Sequence, residues 1–401
     1  MFYGWYLAIV AFLLLMVSNG AIMYSYSVVA VPLGLEFEAS RVTMMLGITL
    51  MTLAGGIMSP LFGSLIDRWS LRSMMLIGVF GMSGGYFLLS FTTASWQVPL
   101  IYGALMMLGL NLLGPLTTST LLARWFSRKR GMVLGLAAIG TSVGGFVFPP
   151  VIQWLIDAYE WRDALRMVAL GCLVLTIPAV MLVVNSPKER GLGADGVALD
   201  LDAPLVLPEA ITFKSLLADR NFWLIALVMS LLFCAYTGVL SNLVPLALNK
   251  GLSAEQGAFL ISILAVAGIA GKIGFGTIAD RIDLRLGYAA SIICVIIALL
   301  LFATTSNFST FMLASGFMGF ATGGMLPVWG AILAILFGAA NYGRVMGMMN
   351  PVIMPLTLVG APLAGYIFDV TGGYAPAFAL FAGGLLVALI ALPFIRMKSD
   401  V

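Results

Sequence analysis

Twelve apolar runs, separated by short polar breaks, occupy most of the chain. They lie near 5–32, 41–66, 73–94, 97–123, 130–157, 162–184, 221–248, 254–280, 287–305, 308–336, 343–370 and 374–396. Crossing about 30 Å of hydrocarbon takes roughly 20 apolar residues in a helix, because no water is present there to satisfy backbone N–H and C=O groups. Each run therefore predicts one membrane-spanning helix. The first opens at Trp5 with neither a basic n-region nor a small-residue cleavage site, so it reads as a retained helix.

The longest polar stretch, 185–220, carries Pro187, Lys188, Glu189, Asp195, Asp200, Pro204 and Pro208 and reads as a linker between two six-helix halves. The halves repeat one another. Gly63, Asp67, Arg68, Leu71 and Arg72 reappear as Gly276, Asp280, Arg281, Leu284 and Arg285, each 213 positions on. Gly131, Gly135, Pro150 and Asp157 reappear as Gly343, Gly347, Pro362 and Asp369, each 212 positions on. The expected fold is thus an all-α membrane protein, with twelve transmembrane helices in two pseudo-symmetric bundles at 1–184 and 221–401. Duplicated bundles can rock about a midplane site and expose it to either side in turn, which is a transporter's device.

Composition agrees: 61% of the 401 residues are hydrophobic and 9% charged, against roughly 25% charged in soluble domains. There is no histidine, and Cys172, Cys234 and Cys294 lie in apolar runs without a paired spacing. Disulfide scaffolds, zinc sites, histidine relays and bound cofactors are therefore not expected. The net charge of +3 implies no nucleic-acid partner. Its distribution sets orientation. With a cytoplasmic amino terminus, fifteen Lys and Arg residues fall inside, against Arg41, Arg162, Arg166 and Lys250 outside. This bias puts both termini in the cytoplasm and the protein in the cell inner (plasma) membrane.

The loop Gly63, Ser64, Leu65, Ile66, Asp67, Arg68, Trp69, Ser70, Leu71, Arg72 resembles the GxLxDRxGRR signature of the major facilitator superfamily, departing from it at Ser70 and Leu71. A narrower resemblance runs through Tyr3, Gly4 and Trp5; Tyr24 to Ser27 with Pro32, Glu36 and Arg41; Arg124, Trp125, Phe126, Arg128, Arg130 and Gly131; and Phe222 with Trp223. These are similar to the monocarboxylate transporter and oxalate/formate antiporter branch. The resemblance implies the major facilitator fold, a monomer, and carriage of a small carboxylate anion by symport with a proton or by exchange. It also implies a cytoplasmic latch built from Asp67, Arg68 and Arg72 and their repeats Asp280, Arg281 and Arg285.

All seventeen acidic residues fall in loops or at helix ends, which removes the usual intramembrane proton relay. The ionisable side chain well inside a span is Lys272, eight residues before Asp280 and hence roughly 12 Å from the helix end at 1.5 Å per residue. A cation at that depth costs several kcal/mol unless water or an anion compensates it, so an anionic substrate is its natural partner. Gly268, Gly271 and Gly274 thin the helix around it. The antiporter branch carries arginine here. Lysine is a point charge, and unlike arginine it can release its proton when the site empties. Asn350 and Thr357 on helix eleven add no second cation, which favours a monocarboxylate over a dicarboxylate.

Helices one, four, seven and ten line the central cavity in the superfamily, which makes Asn19, Tyr24, Tyr26, Asn111, Tyr236, Asn242 and Trp329 further candidate contacts. Each asparagine either meets the cavity or bonds a neighbouring helix, since lipid would leave its amide unsatisfied. The four aromatics serve either as carboxylate donors or as packing. Gly140, Gly144 and Gly145, echoed by Gly360, permit close helix approach and bending, either as a hinge or as static packing between the halves. The competing reading is an efflux carrier for amphipathic small molecules, which would need no interior cation. An intramembrane enzyme lacks its nucleophile–base pair, and a transport-dead sensor lacks a relay domain.

Overall fold

The chain's answer to a solvent without hydrogen-bonding partners is helix almost throughout, and among the described residues no strand occurs. The structure is a computed structural model that describes residues 2–126, 130–196, 213–278, 283–337 and 342–396. Its spans are α1 (Gly4–Glu36), α2 (Arg41–Arg68), α3 (Leu71–Leu89), α4 (Gln97–Trp125), α5 (Arg130–Tyr159) and α6 (Trp161–Met181). They continue as α7 (Arg220–Asn249), α8 (Ala254–Ile278), α9 (Leu284–Thr304), α10 (Phe308–Phe337), α11 (Tyr342–Thr371) and α12 (Ala375–Ala391). All twelve are long and apolar enough to cross a membrane.

Side chains that accept the orphan N–H groups of a first turn set several starts. Ser40 opens α2, Ser70 opens α3, Asp219 opens α7 and Asp283 opens α9. Glycine in the left-handed region ends two spans, Gly251 (φ 81°) after α7 and Gly372 (φ 75°) after α11.

Boundaries follow hydropathy closely, with three local departures. Helix α3 stops at Leu89 instead of 94, because Ser90, Phe91 and Thr92 turn back onto the carbonyls of Phe87, Leu88 and Leu89. Helix α1 runs past 32 to Glu36 and carries a π-helical turn, Asn19–Tyr24. Helix α4 carries another, Tyr102–Met106, and breaks at Gly114, where Pro115 starts a new helical segment. None of these is a hydropathy feature.

The chain divides into two compact units, Met1–Pro204 and Leu205–Val401. The first pairs α1 with α5, α2 with α4 and α3 with α6. The second pairs α7 with α11, α8 with α10 and α9 with α12, the same scheme six helices later.

Glycine makes the closest pairings possible. In the first unit a Cβ at Gly140 or Gly144 would run into the Phe12 or Met16 carbonyl of α1. In the second unit a Cβ at Gly319 or Gly323 would strike the Leu264 or Gly268 carbonyl of α8, and one at Gly360 the Cys234 carbonyl of α7. Gly140, Gly144 and Gly360 thus pack helices within their own unit.

Candidate functional site

In the first unit the candidate residues gather around irregular backbone. Asn19 opens the π-turn of α1 and is half-buried, its Nδ2 donating to Leu15 O (3.2 Å). Ser25 closes the turn, with Oγ donating to Gly20 O (2.8 Å). Single π-turns widen a helix and gather at functional positions. Tyr24 ends this turn and is half-buried. Tyr26, next along, is fully buried, donates its hydroxyl to the Met44 carbonyl of α2 and packs edge-on against Tyr102, with ring centroids 4.9 Å apart. Its hydroxyl thus bonds a neighbouring helix, the packing alternative that the sequence offers for it. Asn111 on α4 donates Nδ2 to Met107 O (2.8 Å) and lies half-buried beside Gly55 of α2, where a Cβ would come within 2.5 Å of that nitrogen.

In the second unit Lys272 is half-buried on α8, six residues before Ile278. The adjacent Gly271 lies against the Phe320 carbonyl of α10. Helices α10 and α7 both pack on α8, and neither contains an Asp or Glu anywhere along its length. Trp329 on α10 is buried, its ring 6.4 Å from that of Phe233 on α7, and its Nε1 has no hydrogen-bond partner among the described residues. A buried N–H left unpaired costs about 1–3 kcal/mol, so this is a donor awaiting an acceptor. Tyr236 on α7 is half-buried.

On α11, Asn350 is exposed and Thr357 folds its hydroxyl onto Ile353 O (3.1 Å), while its carbonyl accepts from Thr237 of α7 (3.2 Å). Asn242 is fully buried and fully used: Nδ2 donates to Gly238 O (2.9 Å) and Ala361 O (3.3 Å), and Oδ1 accepts from Tyr374 (3.3 Å). It joins α7, α11 and the start of α12.

Of the expected latch, Asp280 and Arg281 lie outside the described residues, as do the side chains of Asp67 and Arg68. Arg72 donates to Val183 O and Arg285 to Ile395 O, each within its own unit. Sequence reasoning missed a group of contacts at the end of α6. Tyr3 donates to Leu182 O (2.6 Å), Trp125 Nε1 to Val184 O (3.0 Å), and Asn185 Oδ1 accepts from Leu71 N (2.7 Å). Tyr3 and Trp125 stand out in the sequence as motif residues, but nothing in their spacing reveals a shared target.

The sequence matches the Major Facilitator Superfamily over residues 9–296 and 251–400. It is 29% identical to "Monocarboxylate transporter 12" of Mus musculus over 84% of this chain and 74% of that protein. It is 27% identical to "Monocarboxylate transporter 13" of Rattus norvegicus over 98% of this chain and 89% of that one. A bacterial homolog of the human lysosomal transporter Spinster, solved inward-facing and unoccupied, shares the fold with a TM-score of 0.70. The two are 15% identical over 98% of this chain and 95% of that one. With its twelve spans and paired six-helix scheme, the chain is a multi-pass membrane transporter and belongs to the major facilitator superfamily.

Proposed function

We propose that the protein carries small monocarboxylate anions across the membrane by alternating access, with Lys272 as the cation that receives the carboxylate. The observation that carries this reading is the position of Lys272, a half-buried cation within the apolar span α8, which packs on α7 and α10. An anion entering such a site offsets the cost of the buried charge and loses its own hydration to a fixed partner. Trp329 adds an unspent N–H donor on α10, and Tyr236, Asn350 and Thr357 offer polar groups on α7 and α11. The names of the relatives at 27–29% identity support the same substrate class.

Coupling follows from lysine chemistry. A lysine can bind the anion in its charged form and release its proton once the site empties, so proton symport and anion exchange both use one residue. In this reading both termini face the cytoplasm, in the plasma membrane, and the transporter acts as a monomer.

The test is uptake of radiolabelled monocarboxylates into proteoliposomes, under an imposed pH gradient or against preloaded anion, for the wild type and Lys272→Gln. Uptake driven by the gradient and lost in the variant supports symport through Lys272, and uptake requiring preloaded anion supports exchange. Undiminished uptake by Lys272→Gln overturns the site. No uptake of any monocarboxylate by the wild type transfers the reading to an amphipath exporter.

A further inference from the structure

A groove of about 480 Å³ opens between α3 and α6, within the first unit. Its floor is made of small residues, Ser83, Gly84 and Ala169, and its walls include Phe87 and Leu170, 49% and 62% exposed. At one end stands Arg166, beside the membrane boundary marked by the start of α6 and the end of α3. The internal repeat supplies a control. The counterparts of Ser83 and Gly84, 213 positions on, are Ile296 and Ile297, which would fill such a groove. Those of Asp163 and Arg166, 212 positions on, are Ala375 and Phe378. The second half thus keeps neither the small floor nor the charged pair in its sequence, so the fold itself does not require them.

Two polar groups at the groove are unspent. The Ser83 hydroxyl is buried and has no hydrogen-bond partner among the described residues. Arg166 directs Nη1 to Asp163 (2.7 Å) and Nε to Ser90 Oγ (3.3 Å), with its guanidinium 4.9 Å over the Phe91 ring, while Nη2 has no partner among the described residues. Arg162 nearby is paired with Glu36 (3.0 Å) and Glu160 (3.8 Å). Two cations thus face three carboxylates, so a purely anionic headgroup meets as much repulsion as attraction. A headgroup carrying both signs fits: phosphate on Arg166 Nη2 and ammonium on Asp163.

We propose that this groove binds a zwitterionic aminophospholipid, independently of what is transported. Its acyl chain lies over Gly84 between Phe87 and Leu170, and the headgroup spans Arg166 and Asp163.

Native mass spectrometry of the full-length protein in detergent, titrated with phosphatidylethanolamine or phosphatidylglycerol, tests this. The wild type should retain the former roughly two- to fivefold better, the worth of one exposed ion pair. Asp163→Asn should abolish the preference, and Arg166→Gln should weaken the retention of both lipids. Gly84→Leu should remove the retained lipid. A Cβ at Gly84 meets nothing within 4 Å, so this variant fills the groove without disturbing the helix pair. Gly383→Leu on α12, equally open, should keep wild-type lipid retention. Equal retention of both lipids by the wild type, or unchanged retention in Gly84→Leu, overturns the proposal. So does a dimer whose formation Gly84→Leu blocks.

Discussion

Arg72 donates from Nε (3.0 Å) and Nη2 (2.7 Å) to the carbonyl oxygen of Val183, just beyond α6. Arg285, its repeat 213 positions on, donates from Nη1 (3.4 Å) to the carbonyl of Ile395, 212 positions after Val183. In both units an arginine at the start of the third helix thus closes the end of the sixth, where a helix leaves carbonyls without partners. The two differ in strength, because Arg285 spends most of its guanidinium on Asp283 (2.6 Å).

Arg72→Ala should therefore destabilise the protein by roughly 1.5–3 kcal/mol, the range for a hydrogen bond to a charged group, and Arg285→Ala by less. Arg72→Lys should not restore the loss, since an ammonium cannot reproduce two parallel bonds to one oxygen. Thermal unfolding in detergent measures all three; equal effects of Arg72→Ala and Arg285→Ala would show that the carbonyl contact is not the cause.

Glycine contacts predict a sharp contrast among small substitutions. Gly323→Ala and Gly360→Ala place a methyl against a backbone carbonyl, whereas a Cβ at Gly135 or Gly347 meets nothing within 4 Å. The first two should lose at least 1–3 kcal/mol through overpacking, and the latter two should be neutral or mildly stabilising. The yield of monodisperse protein on size exclusion reports the difference.

Asn242→Ala removes the hydrogen bonds to the Ala361 carbonyl and from the Tyr374 hydroxyl together, a loss of about 0.5–1.5 kcal/mol for each. The expected signature is a lower melting temperature with KM for substrate unchanged. A raised KM at unchanged stability would restore Asn242 to the binding site.

Lys272→Arg keeps a cation at the site but holds its proton permanently. Exchange of labelled against preloaded anion should survive, and pH-gradient-driven uptake should fall to background. Gradient-driven uptake by the arginine variant would place the coupled proton elsewhere.

The Arg285 side chain beside Asp283 holds that carboxyl below its usual value. A depressed carboxyl stabilises the fold above its unfolded value near 4 and loses the contribution as pH falls through the lower folded value. Between pH 5 and 8 the contribution is constant. Any pH dependence of uptake in that window should therefore persist in Asp283→Asn, as proteoliposome assays at several pH values would reveal.

Twelve spans, their approximate limits and the duplication were legible in the amino-acid sequence, because whether a segment enters lipid depends on its own side chains and little else. Lys272 was legible for the same reason: a charge inside an apolar run stands out without knowledge of its neighbours. What tertiary structure alone decided is which polar groups are spent. Asn242 and Asn111 look alike in sequence, yet one is consumed by α11 and Tyr374 while the other bonds within its own helix beside Gly55. Tyr26 turned to the Met44 carbonyl, Trp329 kept its N–H unspent, and Arg72 turned to Val183. The π-turns of α1 and α4 likewise answer to helices packed beside them. Hydropathy is a relation between a segment and its solvent. A hydrogen bond is a relation between two segments, and its partner is fixed only when the helices come to lie side by side.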